Sequence, residues 1–168
     1  MTSFNILLEN IHAFVFDFDG VLTNNMVMTC QDGKEFVLCN RSDGLAFDVL
    51  NKLKKPAYIL STETNPVVKA RAKKLKISSI QGVQNKESSI INLTEQYGYS
   101  LKNIMYVGND INDYKVMQLC GYSACPSDSH PMIKSISNII LDSKGGGGVA
   151  RELLEKELNI NFYKVLYS

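Results

Sequence analysis

The segment Ala13-Phe14-Val15-Phe16-Asp17-Phe18-Asp19-Gly20-Val21-Leu22-Thr23 constrains the fold more than any other stretch of this chain. Its first four residues are apolar without interruption, the pattern of a parallel strand buried on both faces. Two carboxylates spaced two residues apart then mark where the strand leaves the core, and Gly20 lets the backbone turn. Ligands of open α/β sheets bind at the carboxyl ends of strands, so Asp17 and Asp19 are expected in a crevice, each within reach of the other's charge. Hard oxygen donors so placed suit Mg2+, which keeps waters and takes phosphate oxygens as co-ligands. The competing reading is a strand end followed by an ordinary polar turn, where Asp and Gly are common.

Further apolar runs at 57–60, 77–80, 104–107, 122–125 and 138–141 alternate with helical spacing at 43–53, 66–75, 86–97, 114–119, 132–136 and 149–158. That alternation predicts an α/β fold with a doubly wound, mainly parallel, Rossmann-like sheet. Between the first strand and the first helix, two β-prone runs at 26–30 and 35–39 flank Asp32-Gly33, a hairpin signal. This predicts a single domain over 1–168, with a flap at about 24–41 and no large cap domain.

The strand ends repeat the theme of the first. Ser61, Thr62 and Glu63 follow the run at 57–60; their hydroxyls suit a phosphate oxygen or a helix cap, and Asn65 with Pro66 already supplies a cap. Lys86 opens a helix shortly after Gln81-Gly82, and beside two carboxylates it would neutralise charge and orient a nucleophile. Gly108-Asn109-Asp110-Ile111-Asn112-Asp113 follows the run at 104–107. Any one of these is an ordinary cap or turn, but all share the same sheet edge. His130, before Pro131, reads equally as a substrate contact or a solvated loop residue, and His12 reads as structural. Lys69, Arg71, Lys73 and Lys74 make a basic helix face whose ordinary explanation is solvation. Gly145 to Gly148 permits close approach of backbone amides to an anion. Arg151, in the first turn of the next helix, opposes the helix dipole and points to a role beyond helix stability.

Composition removes other classes. The 18 basic and 17 acidic residues of 168 leave a net charge of +1, so no overall field favours nucleic acid or membrane. No apolar run reaches membrane-spanning length. Asn5, Glu9 and Asn10 near the start, without a basic leader, argue against a signal peptide. The expectation is a soluble, cytoplasmic protein. Cys30, Cys39, Cys120 and Cys125 lack Cys-x-x-Cys spacing, which predicts free thiols with Cys120 and Cys125 as core filler.

Asp17-Phe18-Asp19-Gly20-Val21-Leu22-Thr23, Ser61, Lys86 and Gly108-Asn109-Asp110-Ile111-Asn112-Asp113 resemble, in order, the four motifs of the haloacid dehalogenase (HAD) superfamily of phosphatases. The likeness is closer to its small capless branch, the 3-deoxy-D-manno-octulosonate 8-phosphate and nonulosonate 9-phosphate phosphatases, and spans residues 14–154. The resemblance implies an aspartyl-phosphate mechanism. Asp17 would attack phosphorus, and Asp19 would protonate the leaving oxygen and then activate water. Mg2+ would sit between the Asp17 carboxylate, the Asp19 carbonyl and the Asn109-Asp110 pair. Ser61 and Lys86 would hold phosphoryl oxygens, Lys86 with Asp113 or Asp110 in support, and Thr23, Thr62 and His130 would line the substrate.

Departures from the family pattern refine this. Asn109 stands where many relatives have Asp, exchanging an anionic ligand for an amide oxygen. Glu63 resembles the nonulosonate branch, as do Ser42, Arg71 and Lys74, residues that in that branch meet the sugar acid partly across a subunit boundary. The small phosphorylated substrate expected is thus a 2-keto-3-deoxy sugar acid, with the nonulosonate 9-phosphate ahead of the octulosonate 8-phosphate. Capless relatives close the site as a ring-like homotetramer, with flaps and a neighbour's tail. Two other classes remain open: a catalytically weakened module associated with a sugar-acid cytidylyltransferase, and a receiver-like signalling domain, whose acids come from different strands.

Overall fold

The computed structural model describes residues 6–168, so the part of the leader reading that rests on Asn5 falls outside the described residues. The chain enters the sheet through β1 (Ala13–Phe16) and then forms a hairpin, β2 (Thr23–Thr29) and β3 (Glu35–Cys39). Alternation follows: α1 (Ser42–Lys52), β4 (Ala57–Leu60), α2 (Val67–Leu75), β5 (Ser78–Ile80), α3 (Lys86–Tyr97), β6 (Ile104–Val107) and α4 (Tyr114–Leu119). It continues through β7 (Tyr122–Cys125), α5 (Pro131–Ile136), β8 (Ile139–Ile140), α6 (Val149–Glu152) and α7 (Phe162–Tyr167).

Among the described residues, six strands form one parallel sheet in the order β5-β4-β1-β6-β7-β8. The chain winds outward from β1 through β4 to β5, then restarts on the other side of β1 with β6. The strand order therefore reverses between β1 and β6, where an open sheet leaves a crevice at its carboxyl end. The doubly wound α/β expectation is met.

Pleating explains the two cores. Phe14 and Phe16 point to one face, where α1, α2, α6 and α7 pack; Ala13 and Val15 point to the other, with Tyr106 and with Ile90 of α3, Val116 of α4 and Ile133 of α5. Phe16 meets Phe47 of α1 edge-on with ring centroids 5.2 Å apart, so the strand that carries the two aspartates is anchored from below.

The hairpin is a separate two-stranded sheet, with register Thr29↔Glu35 and a bulge between Thr23 and Val27. It starts at Thr23, three residues before the sequence pattern suggests, because Thr23 already pairs with Cys39. Three other expectations shift. The last strand shortens to two residues at the sheet edge. The 149–158 helix is an α-turn continued by a π-helical turn, Leu153–Glu157. The C-terminal α7 has no counterpart in the sequence reading; it lies on α1 of its own chain, with Phe162 buried and Lys52 Nζ donating to the Leu166 carbonyl at 2.6 Å.

Cys120 and Cys125 are buried free thiols, as the pattern suggests. Among the described residues, no helix is long and apolar enough to cross a membrane.

Candidate active site

Asp17 follows β1 directly, and its amide donates to the Val107 carbonyl at 2.9 Å, which pins the first acidic loop to β6 across the switch point. The Asp17 side chain is nearly buried. One of its oxygens, Oδ1, accepts the Phe18 amide at 2.7 Å and lies 2.9 Å from Lys86 Nζ. Lys86, 4% exposed at the start of α3, also donates to Asp113 Oδ1 at 2.7 Å. One ammonium thus bridges two buried carboxylates that come from opposite sides of the crevice. Burial pulls the Lys86 pKa down, but Asp17 and Asp113 outweigh it and hold it above the ordinary value.

Asp113 is fully buried and saturated. Its Oδ1 takes Lys86 and the Tyr106 hydroxyl at 2.8 Å, and its Oδ2 takes the amides of Asn109 at 2.9 Å and Asp110 at 3.4 Å. These two amide contacts fold the loop after β6 around the carboxylate. Gly108 makes room for it, since a Cβ there would stand 2.7 Å from the Asp113 carboxyl carbon.

Asp17, Asp19, Asn109 and Asp110 line a cleft of about 300 Å³. Burial first, and then the charge of Asp113, push the Asp17 carboxyl up to about 8, against the pull of Lys86 and the Phe18 amide. Asp19 is partly buried and is raised by burial and by Glu63, with Thr23 and Lys86 opposing. The neighbouring charge that matters most to Asp19 is therefore Glu63 rather than Asp17. A site that disfavours carboxylate charge in this way is one that gains from a bound cation.

The donor set fits a hard divalent ion. Asn109 is 8% exposed, lines the cleft, and its Oδ1 is buried with no hydrogen-bond partner among the described residues. A buried amide oxygen left unpaired beside two carboxylates is a cost that a metal ligand bond would remove. Among the described residues no three His, Cys, Asp or Glu side chains cluster in metal-binding geometry. Amide and backbone oxygens must then complete any such site, as the exchange of Asp for Asn109 already requires. Asp110 is more committed: its Oδ1 accepts the Ile111 amide at 2.7 Å and caps a short helical turn in a reciprocal box with Asp113.

Other candidates land differently. Ser61 is 1% exposed at the end of β4, and its Oγ accepts the Glu63 amide at 3.1 Å, leaving its hydroxyl proton to donate. Thr62 is exposed beside it. Glu63 Oε1 accepts the amides of Thr64 and Asn65 at 2.6 and 2.8 Å, so half of that carboxylate caps the approach to α2 while the residue lines a second cleft of about 190 Å³ with Asp19 and Glu35.

Thr23 is corrected by the structure. It is fully buried, and its hydroxyl donates to Asp19 Oδ1 at 3.4 Å while accepting the amides of Gly20 and Asn25 at 3.2 Å; it holds the acidic loop rather than facing substrate. His130 has structural work to do, at a partly exposed position. Its Nδ1 accepts the Met132 amide at 3.2 Å to cap α5, and its own amide donates to the Asn109 carbonyl at 2.9 Å. Arg71 and Lys74 do not line either cleft of their own chain. Arg71 Nη2 donates to the Asn40 carbonyl at 2.7 Å at the root of the flap, and Lys74 is exposed.

The glycine run has a structural use. Gly146 donates to the Val21 carbonyl at 3.0 Å, and a Cβ on Gly145 would strike the Gly20 carbonyl, so this loop buttresses the acidic loop from behind. Arg151 pairs with Glu155 at 2.8 Å and lies over the Phe162 ring. Two residues escaped the sequence reading. Glu35, in an exposed hairpin strand, carried no signal. Tyr106 is hidden in an apolar run, where only its hydroxyl in a fully buried strand hints at a polar partner.

Comparison with known proteins bears on the family. A family model described as haloacid dehalogenase-like hydrolase matches residues 51–153, more than half of the chain. The 3-deoxy-D-manno-octulosonate 8-phosphate phosphatase of Escherichia coli K12 is 28% identical over 148 residues, which is 88% of this chain and 79% of that protein. An HAD family hydrolase from Streptomyces avermitilis superposes with a TM-score of 0.89 at 36% identity, covering 92% of this chain and 89% of the other. The Moraxella catarrhalis 3-deoxy-D-manno-octulosonate 8-phosphate phosphatase, in complex with magnesium, phosphate and KDO, superposes with a TM-score of 0.85 at 28% identity, covering 89% and 87%.

Proposed function

The chain belongs to the haloacid dehalogenase-like hydrolase family, and from that premise we propose that it is a Mg2+-dependent phosphatase acting on the phosphomonoester of a 2-keto-3-deoxy sugar acid. The observation that carries this reading is the Asp17–Lys86–Asp113 bridge beside the unpaired Asn109 Oδ1 at the switch point of the sheet. The likeness to a phosphatase bound to magnesium, phosphate and a sugar acid supports both the metal and the substrate class.

Mg2+ would be held by the Asp17 carboxylate, the Asp19 carbonyl and Asn109 Oδ1. When bound, it supplies the positive charge that keeps Asp17 ionised and neutralises the phosphate. Asp17 attacks phosphorus and forms an aspartyl-phosphate. Asp19, with its raised proton affinity, gives its proton to the leaving sugar oxygen. It then takes a proton from the water that hydrolyses the acyl phosphate, returning Asp17 and inorganic phosphate. Ser61 donates its hydroxyl to a phosphoryl oxygen, and the third N–H of Lys86, not spent on Asp17 or Asp113, serves another.

Glu63 beside Asp19 favours the nonulosonate 9-phosphate over the octulosonate 8-phosphate, because its free oxygen can accept an amine or hydroxyl. Arg71 and Lys74 lie outside their own cleft, which is consistent with service to a neighbour's site in a homotetramer. The hairpin supports assembly: Met26, Met28, Phe36 and Leu38 are 55% to 74% exposed, a concentration of apolar surface that a monomer in water rarely carries.

The test is phosphate release from a panel of phosphorylated sugar acids and from an aryl phosphate, with and without Mg2+. Asp17→Asn is expected to reduce turnover by on the order of 10³-fold or more while the protein stays folded. An Asp17→Asn protein that still releases phosphate would overturn the mechanism. Wild-type protein without turnover of any of these esters would favour the weakened module.

A further inference from the structure

We propose that Tyr106 is a positioning residue that keeps Lys86 shared between Asp17 and Asp113, an inference that rests on the phosphatase reading above. Tyr106 reaches the site from below. Its ring is fully buried among the side chains under α3 and α4, and its hydroxyl ends 2.8 Å from Asp113 Oδ1, the same oxygen that Lys86 Nζ approaches at 2.7 Å.

A carboxylate offers about four lone-pair sites. Asp113 uses all of them: two on Oδ2 for the loop amides, and two on Oδ1 for Lys86 and Tyr106. With Tyr106 in place, the charge of Asp113 Oδ1 is divided between two donors. The Lys86 ammonium is left to make the 2.9 Å contact with Asp17 Oδ1, and one N–H remains for the phosphoryl group.

Remove the hydroxyl and that balance is lost. A buried anionic lone pair without a donor is costly. The backbone amides of Asn109 and Asp110 are fixed in the loop, whereas the Lys86 side chain is the mobile donor within reach. With no second donor sharing the charge of Oδ1, that oxygen would attract the ammonium more strongly and draw it away from Asp17. Tyr106 touches neither substrate nor metal ligand side chain; it acts by sharing the charge of Asp113 Oδ1, which weakens the pull of that oxygen on the lysine. The same contact explains a polar residue in an otherwise apolar strand, Ile104-Met105-Tyr106-Val107.

Tyr106→Phe removes one oxygen and preserves the ring, so the packing of the core is kept. Turnover of an aryl phosphate with Mg2+ is expected to fall about tenfold in kcat, the loss of one charge-assisted contact in the transition state, with KM changed less than about twofold. Activity is normalised to the folded fraction, read from a urea titration of the same preparation. A residue that merely stabilised the fold would leave kcat per folded molecule unaltered. The second readout needs neither metal nor substrate: the 15N resonance of the Lys86 ammonium in the metal-free protein is expected to shift in the variant.

A kcat within twofold of wild type overturns the proposal, whatever the resonance does. A fall in kcat with an unmoved Lys86 resonance overturns the route through the lysine. Asp17→Asn, run alongside, separates the two levels: if it is inactive while Tyr106→Phe is fully active, only the role of Tyr106 fails; if Asp17→Asn remains active, the phosphatase mechanism itself fails.

Discussion

Gly20→Ala couples the backbone of the acidic loop to the proposed metal site. Gly20 has φ of +77°, a left-handed conformation that costs a residue with a Cβ about 1 kcal/mol or more. The added carbon would also run into Asn109, standing 2.7 Å from its Cγ and closer still to Nδ2. The Asn109 side chain is nearly buried, so it has little free space and must swing away from the loop. The combined cost to folding is about 2 kcal/mol, from strain plus a buried amide forced to find new partners.

The more telling effect concerns Mg2+. Asn109 Oδ1 is the buried oxygen that faces the cleft without a partner. Displacing it should raise the Mg2+ concentration for half-maximal activity about tenfold, the scale on which metal sites respond to misoriented ligands. The assay is aryl phosphate turnover against Mg2+ concentration, with a urea titration for stability. If stability falls but the Mg2+ requirement stays put, Asn109 does not ligate the metal and Asp110 takes its place.

Glu63→Arg should move relative turnover toward the octulosonate 8-phosphate, as read from kcat/KM for the two esters; unchanged selectivity would remove the reason for preferring the longer sugar. Asp43 is buried on α1, with Oδ1 accepting the Arg151 amide at 3.2 Å and Oδ2 unpartnered among the described residues, and burial raises its carboxyl from 3.8 to about 6. A raised pKa means that the folded state holds the proton more tightly, so this contribution is fully present below about pH 4 and is lost as pH rises through about 6. It amounts to about 3 kcal/mol at ~1.4 kcal/mol per pH unit. Urea titrations across that range should show the fall, and Asp43→Asn should flatten it. Leu38→Glu, at a residue 74% exposed on the hairpin, should reduce the mass measured by light scattering with little change in the monomer's stability; an unaltered mass would detach the hairpin from assembly.

The sequence by itself determined the sheet and which polar and charged residues gather at its carboxyl edge. Buried parallel strands must be apolar on both faces, so they stand out as runs, and the polar residues that follow them fall at one edge. Asp17, Asp19, Ser61, Lys86 and Asp113 were all legible this way. Weak signals failed at the margins: the run at 138–141 overstates the two-residue β8, and α7, absent from the sequence pattern, is a helix whose Phe162 is buried against α1.

Tertiary structure alone decided how the actors divide their hydrogen bonds. Spacing along the chain says that Thr23 and His130 are near the site, but not that Thr23 bonds Asp19, nor that the Nδ1 and amide of His130 go to a helix cap and to the Asn109 loop. Nor does it say that Tyr106 and Lys86 share one oxygen of Asp113. Each carboxylate has few lone pairs and each ammonium few protons. Which donor takes which acceptor is settled only when strands far apart in sequence are brought side by side.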